Sequence, residues 1–317
     1  MQKTRLLMLL LILTKIALAQ DKKPAVTGIH HVGLSVVNLE KSIAFYTNTM
    51  QLKEISRSEI GKNTNAQTQR GLTNQARKIA VLQGTNCQFE LMEFEENKGK
   101  SSPIMPIEGP GVTHVCFQAA TSKSIYVKAK TFGASILSRG SSPIDRGYGI
   151  TYAYARDASG IMFEMEHFTE VPFSQDVLVG HVAIVTPDID RLVKFYTQLL
   201  GIEPHRRVDN IRNNPSLDAI ANIDSLKIRG AWFKVGNMTL EMWQFENPKT
   251  KASKEPSPFS QIGYNLVAYE VTNLENTYQL LKEKGIRFLS APAKNNNVSS
   301  AYARDPDGNL LMLVEVQ

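Results

Sequence analysis

The feature that most constrains the fold of this chain is an internal repeat with a period near 150 residues. The stretch "HVGLSVVNLEKSIAFYTNTMQL" at 31–52 matches "HVAIVTPDIDRLVKFYTQLLGI" at 181–202, and "FELMEFE" at 89–95 matches "LEMWQFE" at 240–246. A repeat of this length indicates that one domain is present twice in the chain.

Each copy contains two smaller units. A unit begins with an apolar strand, continues with a helix and ends with three short strands. The turns Asp-Ala-Ser-Gly at 157–160 and Asp-Pro-Asp-Gly at 305–308 predict tight hairpins before the last strand of the second and fourth units. The pattern therefore predicts an α+β fold of four βαβββ modules, arranged as two tandem domains at 26–168 and 177–317.

The first residues predict a signal peptide over 1–19. Lys3 and Arg5 precede the apolar run "LLMLLLILT", and "ALAQ" follows it. A basic start, an apolar stretch of about ten residues and an A-x-A site are typical of secretory signals, whereas a membrane span needs roughly 20 apolar residues. We expect cleavage after Ala19 and an exported protein, periplasmic or secreted, without a stable membrane span.

The charge pattern argues against nucleic acid as a partner. Cleavage would remove Lys3, Arg5 and Lys15 and so lower the net charge from +6 by three, to +3. The remaining basic residues are scattered among acidic ones and form no basic stripe. A small-molecule substrate is the partner we expect, and both a monomer and a homodimer remain open.

The two cysteines, Cys87 and Cys116, are predicted to be free. Strand side chains alternate between the two faces of a sheet, and this alternation places the two thiols on opposite faces. We therefore interpret both as packing residues rather than as a disulfide.

Histidines and glutamates recur in register in the modules. Alignment on the first strand of each module gives His31, His114, His181 and Leu266. Alignment on the fourth strand gives Glu90, Glu164, Glu241 and Met312. An unpaired carboxylate buried in an apolar strand costs several kcal/mol, so these glutamates need solvent, a cation or a metal. Three modules keep a matched His–Glu pair, which predicts metal binding.

The strand–helix openings at 31–46 and 181–196, together with the Asp-x-x-Gly endings, resemble the vicinal oxygen chelate superfamily. This group includes glyoxalase I, methylmalonyl-CoA epimerase, extradiol dioxygenases, and the fosfomycin and bleomycin resistance proteins. The resemblance covers nearly the whole chain after the signal peptide. It implies that two modules curve into a half-open barrel, with metal ligands on the first and fourth strands of each module.

Two ways of pairing the modules remain open. Pairing within each half, which we favour because adjacent units usually pack together, gives the ligands His31, Glu90, His114 and Glu164 and leaves a degenerate site in the second domain. Crosswise pairing, as in some fused glyoxalases, gives His114, Glu164, His181 and Glu241.

Either set would bind one divalent ion (Zn, Ni, Co, Mn or Fe) and leave about two open positions if the ion is six-coordinate. A substrate with neighbouring carbonyl and hydroxyl oxygens could chelate there, with the ion as Lewis acid. One carboxylate would move a proton beside the carbonyl, and the resemblance to glyoxalase I gives this role to Glu164. We expect a metal-dependent lyase or isomerase. Because we expect the protein to be exported, a substrate that contains glutathione is less expected.

Two alternatives differ in their ligands. The resemblance to extradiol dioxygenases implies iron ligands at His181, Leu266 and Met312, of which two are not ligand residues. A metal-free binding protein of the bleomycin-resistance kind usually lacks the His–Glu set that this chain keeps.

Strand alternation and the repeat also give predictions for residues around the candidate ligands. Gln118 and Cys116 fall on the His114 face and are candidates for the cavity wall. Tyr154 and Arg156 recur in the ligand-poor fourth module as Tyr302 and Arg304, which favours a role in the fold over a role in catalysis.

Overall fold

The computed structural model describes residues 23–61, 75–100 and 104–317. Within these ranges the chain forms seventeen strands and five α-helices. The predicted signal peptide lies outside the described residues. None of the described helices has the length and apolar character needed to cross a membrane.

The first two modules follow the predicted order, with one extra short strand in the second. The first contains β1 (Val26–Ser35), α1 (Leu39–Met50), β2 (Lys53–Ile60), β3 (Arg77–Gln83) and β4 (Gln88–Phe94). The second contains β5 (Gly111–Ala120), α2 (Ile125–Thr131), β6 (Ser135–Ile136), β7 (Ile144–Asp145), β8 (Ile150–Arg156) and β9 (Met162–Phe168).

The last two modules also follow it, with one extra helix in the third. The third contains β10 (Val177–Val185), α3 (Ile189–Leu200), β11 (Arg206–Ile211), α4 (Pro215–Ala221), β12 (Lys227–Val235) and β13 (Met238–Asn247). The fourth contains β14 (Gly263–Val271), α5 (Leu274–Glu283), β15 (Ala293–Asn295), β16 (Val298–Arg304) and β17 (Leu310–Val316). The expected α+β class of four βαβββ modules is confirmed.

The long helix of three modules begins at the same kind of residue. Asn38, Asp188 and Asn273 precede α1, α3 and α5, and each side chain accepts a hydrogen bond from the backbone N–H three residues further on. Such a cap satisfies one of the N–H groups that a helix leaves unpaired at its start. The first helical turn is thus fixed locally, directly after the first strand of its module.

The modules pair crosswise, so our preference for pairing within halves was wrong. One sheet has the order β15-β16-β17-β14-β1-β4-β3-β2 and joins the first and fourth modules. The other has the order β11-β12-β13-β10-β5-β9-β8-β6, with β7 on β8, and joins the second and third. Adjacency along the chain did not discriminate, because the second and third modules are neighbours in sequence as well.

Modules of the same half meet through their helices instead. The ring of Phe45 on α1 packs against Phe163 of the second module, with centroids 5.6 Å apart. The hydroxyl of Tyr46 donates to the carboxylate of Asp157 at 3.1 Å, and Tyr196 donates to Asp305 at 3.3 Å in the second half. The main core lies on the helix-bearing faces of both sheets and draws side chains from all four modules. The aligned positions of the first and fourth strands do not belong to this core and lie on the opposite faces of the sheets.

Candidate metal centre

Four ligand-type side chains converge in the sheet of the second and third modules. The central strands β5 and β10 carry His114 and His181, and the flanking strands β9 and β13 carry Glu164 and Glu241. In each module the first and fourth strands are parallel neighbours, which brings each histidine beside the glutamate of its own module. All four side chains are buried.

The distances suit one bound ion. The Nε2 atoms of His114 and His181 are 3.3 Å apart. From His181 Nε2, Glu164 Oε2 lies at 2.9 Å and Glu241 Oε2 at 3.3 Å; from His114 Nε2 the corresponding distances are 3.4 and 3.8 Å. Ligand atoms about 2.0–2.2 Å from a common ion are roughly 3–4 Å apart. The donor set therefore fits a divalent cation.

The charges of the buried side chains also favour a bound cation. Within the described ranges, the ion-pair partners of Glu164 and Glu241 are the two histidines, with no lysine or arginine. Burial alone would raise the pKa of Glu164, but hydrogen bonds from His114 and His181 lower it below its ordinary value. Burial would likewise lower the pKa of His181, but the charges of Glu241 and Glu164 raise it to about 10. One imidazolium offsets only one of two buried carboxylates, whereas a divalent ion offsets both.

His31 and Glu90, which we assigned to the favoured set, do not join His114 and Glu164. They lie on β1 and β4 of the other sheet, with His31 Nε2 at 3.4 Å from Glu90 Oε2. His31 Nδ1 lies 2.9 Å from Nδ1 of His30. Burial lowers the pKa of His31 to about 3, so the ring is neutral at physiological pH. The set that the structure assembles is the crosswise alternative.

The positions that would complete a second site around His31 are apolar. The register pairs Gly33 with Leu266 as it pairs Ala183 with His114. Leu266 and Met312 belong to a packed cluster that also contains Phe94 and Phe259. The sheet of the first and fourth modules thus has a hydrophobic core where the other sheet has ligands. The dioxygenase-type set of His181, Leu266 and Met312 is divided between the two sheets.

A cavity of about 430 Å³ opens over the four ligands. One part of its wall is apolar and includes Val208, Ile211, Leu217, Ile220, Leu226 and Phe245. Several of these belong to the segment 204–228, where β11 and the extra helix α4 cover the cavity. Another part is polar and carries Gln118, Glu166, Arg146, Tyr152 and Arg206. The site can therefore hold a small molecule with both apolar and polar portions.

The polar wall contains one further carboxylate. Gln118, predicted to be in the cavity wall, donates to Glu166 at 2.6 Å. Burial and the neighbouring charge of Glu164 raise the pKa of Glu166 to about 7. The buried thiol of Cys116 lies near the carboxylates of Glu164 and Glu166, and these side chains could bind the same ion. Burial, however, raises the pKa of the thiol well above its ordinary value. Cys116 and Cys87 are both free, as predicted.

Two arginines border the cavity and rest on aromatic rings. Arg146 lies over Tyr152 with its guanidinium carbon 5.4 Å from the ring centroid. Arg206 lies over Trp232 at 4.8 Å. Both guanidinium groups place positive charge at the border of the cavity, where a carboxylate or phosphate of a bound molecule could pair with it.

Sequence reasoning missed three residues that contact the ligands. Tyr154, which we assigned to the fold, packs edge-on against His114 at 5.0 Å between centroids. The Thr113 hydroxyl lies 3.1 Å from His114 Nδ1, and Trp232 Nε1 donates to Glu241 Oε1 at 2.6 Å. The short Gly-Asn turn after β12 could have placed Trp232 opposite Glu241, since a hairpin turn sets the register of its strands.

Arg156 and Arg304, in contrast, have the role in the fold that their recurrence predicted. Arg156 donates to the carbonyls of Gly160 and Met105, and Arg304 donates to those of Gly308 and Ser257. Each arginine thus fastens the turn before the last strand to a preceding loop.

Known proteins resemble this arrangement in sequence and in fold. The family model of the Glyoxalase/Bleomycin resistance protein/Dioxygenase superfamily matches residues 28–165 and 178–313. A lactoylglutathione lyase of Arabidopsis thaliana is 25% identical over 182 residues, which span 56% of this chain and 56% of that protein. The chain therefore belongs to the Glyoxalase/Bleomycin resistance protein/Dioxygenase superfamily, as its sequence predicted.

Solved structures agree on the fold. Glyoxalase I from Zea mays superposes with a TM-score of 0.62 at 20% identity, over 91% of this chain and 92% of that one. A putative dioxygenase from Bacillus subtilis superposes with a TM-score of 0.60 at 12% identity, over 93% and 86%. At these identities the likeness establishes the architecture and leaves the reaction to be argued from the site.

Proposed function

We propose that this protein is a divalent-metal-dependent lyase or isomerase that moves a proton within a small, oxygen-chelating carbonyl or hydroxy substrate. The observation that carries the proposal is the buried set of His114, Glu164, His181 and Glu241, whose ligand atoms all lie within 4.8 Å of one another. Similarity to a lactoylglutathione lyase favours the same class of reaction.

In the proposed reaction the four side chains hold the ion and the cavity holds the substrate. A bound divalent ion would supply Lewis acidity that stabilises negative charge on a substrate oxygen. Glu164 takes the proton from the carbon beside the carbonyl, and the electron pair of the broken C–H bond moves toward the carbonyl oxygen. Glu164 then gives the proton to the former carbonyl carbon, while the hydroxyl proton of the substrate moves to the former carbonyl oxygen, so that the isomer forms without a net change in protons.

The cavity wall limits the substrate that we propose. Arg146 and Arg206 favour a molecule with an anionic group, and the apolar part near α4 favours a hydrocarbon portion. We also propose that the protein is exported, on the basis of the signal-peptide pattern at 1–19.

The proposal is tested first by metal content. The mature chain is purified, dialysed and analysed by elemental mass spectrometry, before and after incubation with Zn, Ni, Co, Mn or Fe(II). We expect about one divalent ion per chain. A chain that neither retains nor takes up an ion would overturn the enzyme proposal and leave a small-molecule binding protein.

Activity is tested by proton exchange. The metal-loaded protein is incubated in deuterated water with lactoylglutathione and with a panel of small α-hydroxy ketones, and deuterium incorporation is followed by NMR. We expect exchange at the carbon beside the carbonyl, reduced about 10²–10⁴-fold in Glu164→Gln. Ring cleavage of catechols by the iron-loaded protein, without proton exchange, would favour the dioxygenase alternative instead.

A further inference from the structure

Trp232 holds one of the two carboxylate ligands by one oxygen. It lies directly opposite Glu241 in the β12–β13 ladder, and its Nε1–H donates to Glu241 Oε1 at 2.6 Å. The other oxygen, Oε2, faces the histidines and lies 3.3 Å from His181 Nε2. The hydrogen bond thus leaves Glu241 with one oxygen for an ion and fixes the direction in which that oxygen points.

The indole ring of Trp232 is itself fixed from several sides. Arg206 covers one face, and the ring of Trp243 meets it at 86° with centroids 5.0 Å apart. The absence of a side chain at Gly230 makes room for both rings, because a Cβ there would lie 2.6 Å from Trp232 Cη2 and 2.8 Å from Trp243 Cζ3. A ring packed in this way donates its N–H in one direction.

Glu164 occupies the equivalent position in its module but is held differently. The residue opposite it in the β8–β9 ladder is also aromatic, Tyr154, whose ring packs against His114. The hydrogen bonds that reach the Glu164 carboxylate come from His114 and His181. Within the part of the chain that the structure describes, no donor outside the four-ligand set holds it in place.

We propose that Trp232 is a positioning residue that directs Oε2 of Glu241 toward the ion site, so that the two carboxylates of the site are not equivalent as ligands. The inference rests on the proposed function, because it assigns different parts to the two carboxylates of that site. Groups that form hydrogen bonds to a metal-binding side chain orient it and affect the affinity of the site for the metal.

The test compares Trp232→Phe with Trp243→Phe. Both changes remove an indole N–H, but only the first removes the hydrogen bond to Glu241. Zn²⁺ affinity is measured by competition with a chromophoric chelator. We expect the affinity to fall about 10–100-fold in Trp232→Phe and to fall by less in Trp243→Phe, which keeps the hydrogen bond to Glu241 and loses only part of the packing around Trp232. Circular dichroism verifies that both variants are folded.

A double-mutant cycle separates this role from general packing. If Trp232 acts through Glu241, the effect of Trp232→Phe on Zn²⁺ affinity disappears in a Glu241→Ala background and persists in a Glu164→Ala background. Equal effects in both backgrounds would overturn the inference. Failure of the unmodified chain to bind Zn²⁺ would instead overturn the proposed function, so the two failures are distinct.

Discussion

His114 and His181 belong to different halves of the chain, yet their Nε2 atoms lie 3.3 Å apart. His31, the repeat equivalent of His181, lies in the other sheet. The complete set of candidate ligands therefore spans the boundary between the two repeats. A substitution in this set can be compared with the same substitution at the equivalent position of the other repeat.

Glu241→Gln and Glu90→Gln are such a pair. Both remove a carboxylate from the fourth strand of a module, but Glu241 belongs to the group of two histidines and two glutamates, whereas Glu90 lies beside His31 in the other sheet. We expect Glu241→Gln to lower metal content after dialysis and Glu90→Gln to leave it unchanged, as measured by elemental mass spectrometry. The opposite pattern would restore pairing within halves.

Metal binding is expected to release a proton near neutral pH. Because the pKa of His181 in the metal-free protein is raised to about 10, its imidazole is protonated at pH 7 and must lose that proton to bind an ion. Affinity should rise about tenfold per pH unit between pH 7 and 9. Calorimetry in buffers of different ionisation enthalpy counts the protons released, and a value near zero would contradict a protonated His181.

The same shift affects the stability of the metal-free protein. A histidine whose pKa is higher in the folded state than its ordinary value of 6.5 stabilises the fold fully below that pH. This contribution is lost as the pH rises through about 10. Urea unfolding of the metal-free chain at pH 6 and at pH 10 should show the decrease, and His181→Gln should reduce it.

Leu266→Ala tests the interpretation of the other sheet as packed core. Leu266 is 2% exposed and lies in the cluster with Met312. Removing three buried carbons should lower the free energy of unfolding by about 2–5 kcal/mol and leave metal affinity unchanged. Urea unfolding and chelator competition measure the two quantities, and a loss of metal affinity without a loss of stability would refute the interpretation.

Tyr46→Phe and Tyr196→Phe test the contacts that join modules of one half. Each change removes the hydroxyl that donates to a buried aspartate, Asp157 or Asp305. Either variant should lose about 1–3 kcal/mol of unfolding free energy, and both should bind the ion as the unmodified chain does. Unaltered unfolding curves for both would show that these bonds contribute nothing net.

Strand alternation and the repeat were enough to predict the positions of the four residues that the structure brings together. His114, Glu164, His181 and Glu241 all occur at the aligned positions of first and fourth strands. The pairing of modules was not predictable in the same way, because the edge of a strand presents the same backbone N–H and C=O groups to any partner strand. Crosswise pairing became evident only from the register of β5 with β10.

Tyr154 illustrates why recurrence can mislead. It and Tyr302 are equivalent in sequence and each lies opposite a fourth-strand residue, Glu164 and Met312. Tyr302 packs in an apolar cluster, whereas Tyr154 touches a ligand ring. The tyrosine is the same in both modules, but the residues around it differ, so its contacts differ between the two sheets.

The short connection over 169–176 has a consequence for the whole site. It joins β9 to β10 and so links two strands that each carry a ligand. A covalent link makes the meeting of two modules an intramolecular event with a high effective concentration. Formation of the centre should therefore not depend on dilution, in contrast to a site shared between separate subunits, and fragments cut within this segment would have to reassociate before they could bind an ion.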